Sequence, residues 1–380
     1  MKRAIYGAGN GGRTVLENMH LRGDDVEFFV DEFIEAREVL GKPVLRISEV
    51  EQRKNIELLF TLGNDHKSER FPEKTLIEEL KEKGFGRILT WDKFMWPYPG
   101  LRIAWDMAWK NCDYEDFLKR FYPGLTQYED VHVDHRAISE VRSFLSDQTS
   151  ISILEKVLKL RSDLRKGPLI DLPDQIPHYF PMTIDIYRGI DSLKFADVGA
   201  FDGDTMMHVM NNSRVPVSYI ASFEPDPRCF TRLQKTASAL YAEYPETSFL
   251  TYSCGAWSKN GLYYLSNDGE ACAKLTGEQG RGKAIPVVTL DAILADAPPN
   301  FIKYDVEGAE EGALLGSQEL IRRYRPTLAV SIYHWGNDLW TLPILIKDIY
   351  PDYEMYIRHH HWGPWETVLY CVAPEGSLVS

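Results

Sequence analysis

The sequence predicts an α/β protein with two doubly wound, largely parallel sheets, a smaller N-terminal one and a larger C-terminal one. Three observations lead there. Short β-branched or aromatic runs alternate with segments of helical period along much of the chain, which is the pattern of a parallel sheet. Two of those runs end in glycine turns that open helices, Gly7-Ala8-Gly9-Asn10-Gly11-Gly12 and Gly199-Ala200-Phe201-Asp202-Gly203. Each turn is followed, at almost the same distance, by an acid at the tip of the next expected strand, Asp31 after Gly7 and Glu224 after Gly199. A carboxylate in that place can accept both hydroxyls of a ribose.

A chain of 380 residues is long enough for two cores. Its 44 % hydrophobic and 26 % charged residues are ordinary for a globular protein. No stretch reaches the ~18 apolar residues of a membrane span. Met1-Lys2-Arg3 runs directly into an apolar strand with no apolar leader segment, so the expected location is cytoplasmic. The five cysteines are scattered without a C-x-x-C pair, which encodes neither a disulfide framework nor a zinc site. A formal net charge of −13 argues against nucleic acid as the partner, since that affinity draws on clustered Lys and Arg. The partner expected is a small molecule or a glycan, and the oligomeric state is open.

Residues 1–92 read as a Rossmann-like domain. Arg3 to Tyr6 is a strand, Val15 to Leu21 a helix, Val26 to Val30 a second strand, Ile56 to Leu62 a third, and Phe71 to Lys83 a helix leading to a strand at Arg87 to Thr90. Gly7, Gly9 and Gly12 match G-x-G-x-x-G in the right context. Gly7, Gly9, Asn10, Gly12 and Asp31 are therefore a candidate nucleotide site, while the same glycines also serve close packing of strand on helix, and both readings stand. An NAD-dependent oxidoreductase would use this turn, but no Tyr-x-x-x-Lys or similar hydride-transfer set follows it. A non-enzymatic nucleotide-sugar-binding protein is the other alternative.

Residues 93–180 form an aromatic-rich, largely helical connector, with Trp96, Trp105 and Trp109 among its rings and two helices expected between Ala137 and Lys166, parted near 147–150. Such a stripe stacks on sugars or, more commonly, fills a core or interface. Residues 181–380 continue as a second doubly wound sheet. Phe195 to Val198 is its first strand, and Thr205 to Val209 starts a helix. Tyr219 to Phe223 and Ser248 to Ser253 are the next strands, ending in Glu224-Pro225-Asp226 and Cys254-Gly255-Ala256. An antiparallel excursion is expected over Lys259 to Val288. Phe301 to Tyr304 then ends in Asp305-Val306-Glu307, Thr327 to Tyr333 ends at His334, and Tyr353 to Arg358 pairs with Thr367 to Val372 as antiparallel last strands.

Asp197-Val198-Gly199-Ala200-Phe201-Asp202-Gly203-Asp204-Thr205, Phe223-Glu224-Pro225-Asp226-Pro227, Val288-Thr289-Leu290-Asp291 and Ile302-Lys303-Tyr304-Asp305-Val306-Glu307-Gly308-Ala309-Glu310 together resemble the FkbM family of S-adenosylmethionine-dependent methyltransferases. The resemblance covers about residues 137–380. It implies a class I methyltransferase fold and transfer of a methyl group to a hydroxyl of a sugar, glycan or natural product. It assigns the methionine part of the cofactor to Asp197, Gly199, Ala200, Phe201, Asp202, Gly203 and Thr205. The ribose falls to Glu224, and the adenine to the neighbourhood of Pro225, Asp226, Cys254, Gly255 and Ala256. The carboxylates crowding the first turn suit a ligand with a sulfonium and an ammonium better than a pyrophosphate. The segment Phe29-Val30-Asp31 with Gly41-Lys42-Pro43-Val44 also resembles the N-terminal domain of sugar-modifying acyltransferases, which implies a nucleotide sugar for that domain.

An alcohol is a weak nucleophile that needs a base beside it or a metal that lowers its pKa. Asp305 and Glu307, at i and i+2 of an extended chain, and His334 at the tip of the adjacent strand are the catalytic candidates. The same three residues could hold a divalent ion, of a kind the ligand types do not fix. Glu307 reads equally as a helix-capping acid, and His334 as an interior histidine. The run His359-His360-His361 sits beside a strand, so alternating faces compete with metal binding there.

Overall fold

The computed structural model describes residues 2–21, 25–61, 73–89, 133–162, 178–265, 275–276, 283–360 and 365–379. The chain divides into two compact units, Met1–Arg120 and Phe121–Ser380. The aromatic stretch from Trp91 to Tyr128 lies outside the described residues, as does His361.

In the first unit β1 (Lys2–Tyr6) lies between β2 (Phe28–Val30) and β5 (Ile56–Phe60), parallel to both. The short β3 (Glu38–Val39) and β4 (Lys42–Leu45) extend one edge and β6 (Arg87–Leu89) the other, in the order β3-β4-β2-β1-β5-β6. Only β3 among these runs antiparallel to its neighbour. Helix α1 (Asn10–Leu21) starts five residues before the expected Val15, because the glycines fold as its first turn. A Cβ on Gly12 would lie 1.8 Å from the Gly7 carbonyl oxygen, so the helix can approach β1 only without one. Helix α2 (Glu73–Glu82) leads into β6.

The second unit opens with helices α3 (His135–Phe144) and α4 (Gln148–Ser162). They part at Leu145–Asp147, where Asp147 accepts the backbone N–H of Ser150 and a bond from the buried Arg358. The main sheet contains β7 (Leu193–Val198), β8 (Val217–Phe223) and β9 (Ser248–Tyr252), with α5 (Asp204–Asn212) and α6 (Pro227–Glu243) as crossovers. The excursion follows as β10 (Gly255–Ala256), β11 (Gly261–Leu265), β12 (Leu275–Thr276) and β13 (Lys283–Val288). These form a separate four-stranded sheet in which β11 is antiparallel to both β12 and β13. After α7 (Leu290–Ile293) come β14 (Phe301–Tyr304), α8 (Glu310–Leu315), α9 (Gln318–Tyr324), β15 (Thr327–Ser331) and α10 (Asp338–Ile349). The chain finishes on β16 (Glu354–His359) and β17 (Thr367–Val372).

The main sheet has the order β16-β17-β15-β14-β7-β8-β9, parallel except for β17, which runs antiparallel to both neighbours. This is a Rossmann-like doubly wound sheet with an antiparallel last strand. The order reverses beside β7, between β14 and β8, and doubly wound sheets take their ligands at such a point, at the strands' carboxyl ends. Alternation along the strands divides the core in two. Ala196, Val198, Ile302 and Tyr304 face α3, α4 and α10, whereas Phe195 and Phe301 face α5 and α6. Asp197, Lys303 and Asp305 follow Phe195 and Phe301 in that alternation.

Candidate active site

The site is built where β7 and β14 lie side by side. Asp197 and Lys303 are direct cross-strand partners, and being on one face they meet. Lys303 Nζ donates to Asp197 Oδ1 at 3.0 Å and to the Gly199 carbonyl at 2.6 Å, and stands 4.0 Å from Asp305 Oδ2. Asp197 is 0 % and Lys303 2 % exposed. Burial pushes the Asp197 carboxyl up to about 6 against the pull of Lys303, so it is still ionised at neutral pH. Burial works against the Lys303 charge, but Asp197 and Asp305 outweigh it and hold the ammonium well above its ordinary range. The lysine thus ties the first strand, the glycine turn and the tip of β14 together.

Gly199 adopts φ +87°, and a Cβ there would lie 1.8 Å from the Asp305 carbonyl oxygen. Only glycine lets the turn lie against the acid-bearing strand. Gly199 and Ala200 donate N–H bonds to the Phe223 carbonyl, and Gly203, at φ +91°, precedes α5. Phe201 also has a positive φ, and its N–H donates to Glu224 Oε2 at 2.9 Å. The other oxygen of Glu224 accepts the Asp226 N–H at 2.7 Å. Each oxygen keeps a second lone pair for a hydroxyl. Burial pushes Glu224 up to about 7, opposed by those two N–H groups.

The turn and the acid are therefore adjacent, as the spacing requires. Asp226 serves as the N-cap of α6, accepting from the N–H groups of Arg228 and Cys229. Asp202 holds the Thr236 hydroxyl through its carbonyl and lies 3.7 Å from Arg232. Thr205 is buried in the first turn of α5. Cys254 is buried at the end of β9, its thiol pushed up to about 11 by burial, and Gly255 and Ala256 pair with β13.

Asp305 lies one residue beyond β14. Tyr179 donates to its Oδ2 at 2.9 Å and Tyr333 to its Oδ1 at 3.3 Å. Although burial works to raise it, Lys303 and then His334 hold its carboxyl below the ordinary range. The extended geometry expected for Asp305 and Glu307 is not what forms: Glu307 takes φ +54° and turns the chain. Nor does Glu307 cap a helix, since α8 starts at Glu310 after Ala309. Its Oε2 instead reaches to 3.5 Å from His334 Nε2, which is 3.6 Å from Asp305 Oδ1. The third acid around the imidazole is Glu310, whose Oε1 is 2.9 Å from Nδ1. Burial would lower the His334 pKa, yet Glu310, Glu307 and Asp305 raise it to about 10. In its charged form the imidazole donates protons and does not accept them.

The loop bearing His334 is fixed from behind. Arg161 donates to the carbonyls of Ile332 and Gly336, and the Trp335 indole donates to Gly308. Lys303, Tyr179, Tyr333 and Glu310 escape the sequence reading, as do Glu366 and His178, which face each other at 3.0 Å. Burial and then Asp305 push Glu366 up to about 8, so it borders the same site. A lysine inside an otherwise apolar strand, in step with an aspartate on the adjacent strand, was the available signal for Lys303. Tyr179 and Glu366 are brought in by loops, and no spacing announces them. His359 Nδ1 meets the Thr367 hydroxyl and His360 Nε2 the Tyr370 hydroxyl, so those two histidines have separate partners.

In the N-terminal unit Asp31 accepts the N–H of Ala8 at 2.8 Å through Oδ2 and those of Phe33 and Ile34 through Oδ1. The glycines and the acid hold the turn to the tip of β2, which accounts for Gly7, Gly12 and Asp31 by packing and hydrogen bonding alone. Gly9 has open space around it, and the side chain of Asn10 lies outside the described residues.

Residues 197–361 match the sequence profile of the methyltransferase FkbM domain. This part of the chain is similar to the FkbM methyltransferase domain. A methyltransferase FkbM from Methylobacillus flagellatus has a similar structure, with a TM-score of 0.53 and 22 % identity over 97 % of this chain and 89 % of that one. Fibrillarin from Aeropyrum pernix, solved with S-adenosyl-L-methionine bound, matches at a TM-score of 0.30 and 13 % identity over 56 % of this chain and 74 % of its own. No curated protein sequence matches the chain. The FkbM likeness supports S-adenosylmethionine-dependent methyl transfer. The residues present fit that cofactor: Asp197 Oδ2 is buried without a hydrogen-bond partner among the described residues, and the Gly199 turn has no room for a side chain. No helix among the described residues is long and apolar enough to cross a membrane.

Proposed function

We propose that the protein is an O-methyltransferase acting on a hydroxyl of a sugar, glycan or natural product. The observation that carries the reading is the place of Asp305, an ionised carboxylate that abuts the Gly199 turn and lies among Tyr179, Tyr333 and His334. The bound cofactor supplies an electrophilic methyl group on sulfonium. Asp197 and the Gly199 to Gly203 turn hold its amino-acid end, and Glu224 accepts its ribose hydroxyls. Asp305 accepts the hydrogen of the acceptor hydroxyl and aligns the oxygen for in-line attack, which is where much of the rate arises. The oxygen grows acidic as the methyl arrives, since a protonated ether is a far stronger acid than a carboxylic acid. A carboxylate of low pKa can therefore take the proton at that stage. Tyr179 and Tyr333 fix the carboxylate, and His334 and Lys303 offset its charge.

The N-terminal unit is read as a packed α/β domain whose glycine turn remains a nucleotide-site candidate at Gly7, Gly9, Asn10, Gly12 and Asp31. Differential scanning fluorimetry with S-adenosylhomocysteine tests the cofactor assignment. A ligand at 100 times its dissociation constant should stabilise the fold by about 2.7 kcal/mol, and no shift would remove the cofactor from this site. With labelled methyl donor and a panel of hydroxylated acceptors, Asp305→Asn should cut turnover by ~10²-fold or more at nearly unchanged cofactor affinity. Wild-type turnover in that variant would place proton acceptance elsewhere.

A further inference from the structure

We propose that Asp305, Glu310 and His334 form a binding site for one divalent first-row cation beside the cofactor turn. One donor atom from each lies within 4.8 Å of the others, so small side-chain rotations bring them to the ~2.0–2.2 Å ligand distances such ions take. Two carboxylate oxygens and one imidazole nitrogen form a set that suits manganese, iron or zinc better than calcium. An acidic cluster alone would not carry this. The second observation is Glu310, only 1 % exposed, whose Oε2 has no hydrogen-bond partner among the described residues.

A buried carboxylate oxygen left unpaired is costly, and its other oxygen is already engaged by the Val306 N–H at 2.8 Å and by His334. A cation there would satisfy Oε2.

The ligands sit on rigid supports. Asp305 is anchored by the two tyrosines, Glu310 starts a helix, and Arg161 clamps the His334 loop. Three protein ligands leave coordination positions for exogenous oxygen. Of the three, the Asp305 side chain is the most open at 22 % exposure, against 7 % for His334 and 1 % for Glu310. The open positions therefore face the side from which an acceptor arrives, and an acceptor oxygen is the ligand they would take. The site stands on its ligand set, while its part in acceptor binding rests on the O-methyl transfer proposed above.

The test is a titration of EDTA-stripped, full-length protein with Mn²⁺, following the electron paramagnetic resonance signal of free ion. Wild type should remove one equivalent, and Glu310→Gln and Asp305→Asn should each weaken binding at least ~10-fold. Failure of the wild type to bind at millimolar ion, or binding unaltered in both variants, would overturn the site. Circular dichroism checks the fold of each variant. If Glu310→Gln does not fold, the Asp305→Asn titration decides alone. S-adenosylhomocysteine binding is measured on the same samples, so loss of the cofactor reading and loss of the metal reading are separate results.

Discussion

Glu224 combines two demands in one carboxylate: its two oxygens hold the N–H groups of Phe201 and Asp226, and it is the acid that should meet a ribose. Because burial sets its pKa to about 7, its acceptor strength changes near neutrality. The ionised form accepts hydroxyl hydrogens and the protonated form does so poorly. Cofactor affinity that depends on it is therefore fully present only well above pH 7 and falls as pH drops through about 7. Isothermal titration of S-adenosylhomocysteine between pH 5.5 and 8.5 should show this loss on the acid side, and Glu224→Gln should bind more weakly with a flat profile. A profile unchanged by the substitution would take Glu224 out of the ribose contact. The residue itself was legible from its spacing to Gly199, since a parallel strand and its crossover helix occupy a nearly constant length of chain. Its pKa was not, because burial depends on what packs over the strand tip.

At the scale of elements, β7 and β14 are joined by more than their ladder. The buried Asp197 and Lys303 pair replaces a stretch of apolar packing, and its favourable energy depends on both charges being present. Lys303→Met would leave Asp197 buried without its counter-ion, which typically costs roughly 3–5 kcal/mol. Urea unfolding should register that loss, and the double change Asp197→Leu with Lys303→Met should recover part of it. The double variant should nevertheless fail to bind S-adenosylhomocysteine, because the Gly199 carbonyl loses its anchor and the turn its carboxylate. A single Lys303→Met variant as stable as wild type would show the pair to be dispensable for folding. The strands were readable from their apolar alternation, and the antiparallel end from its two closely spaced apolar runs, whereas the strand order came only from the pairing in the structure. The left-handed turn at Glu307 was not readable, since a positive φ at a non-glycine residue arises only where the surroundings impose it. Here the surrounding groups are the Trp335 indole against Gly308 and the His334 side chain against Glu307.

For the whole molecule, every residue assigned to the cofactor and to Asp305, Glu307 and His334 lies in the unit Phe121–Ser380. A fragment of residues 121–380 should therefore bind S-adenosylhomocysteine with undiminished affinity. Calorimetry on the fragment and the full chain checks this, and a fragment that folds but does not bind would give the N-terminal unit a part in the cofactor site. The net charge of −13 over the full sequence fits a neutral or cationic ligand better than a polyanion.

By itself the sequence determined the strand and helix alternation, the two glycine turns, the acids that follow them and the FkbM resemblance, because each is written in local spacing. Tertiary structure alone decided which charges meet. Lys303 finds Asp197 across a ladder from more than a hundred residues away in the chain, and Tyr179 and Glu366 arrive from loops with no periodicity to betray them. It also decided the field at His334, where three converging carboxylates raise the pKa of the imidazole. Spacing along one strand fixes which face a side chain takes, but the field it feels comes from every element packed against it.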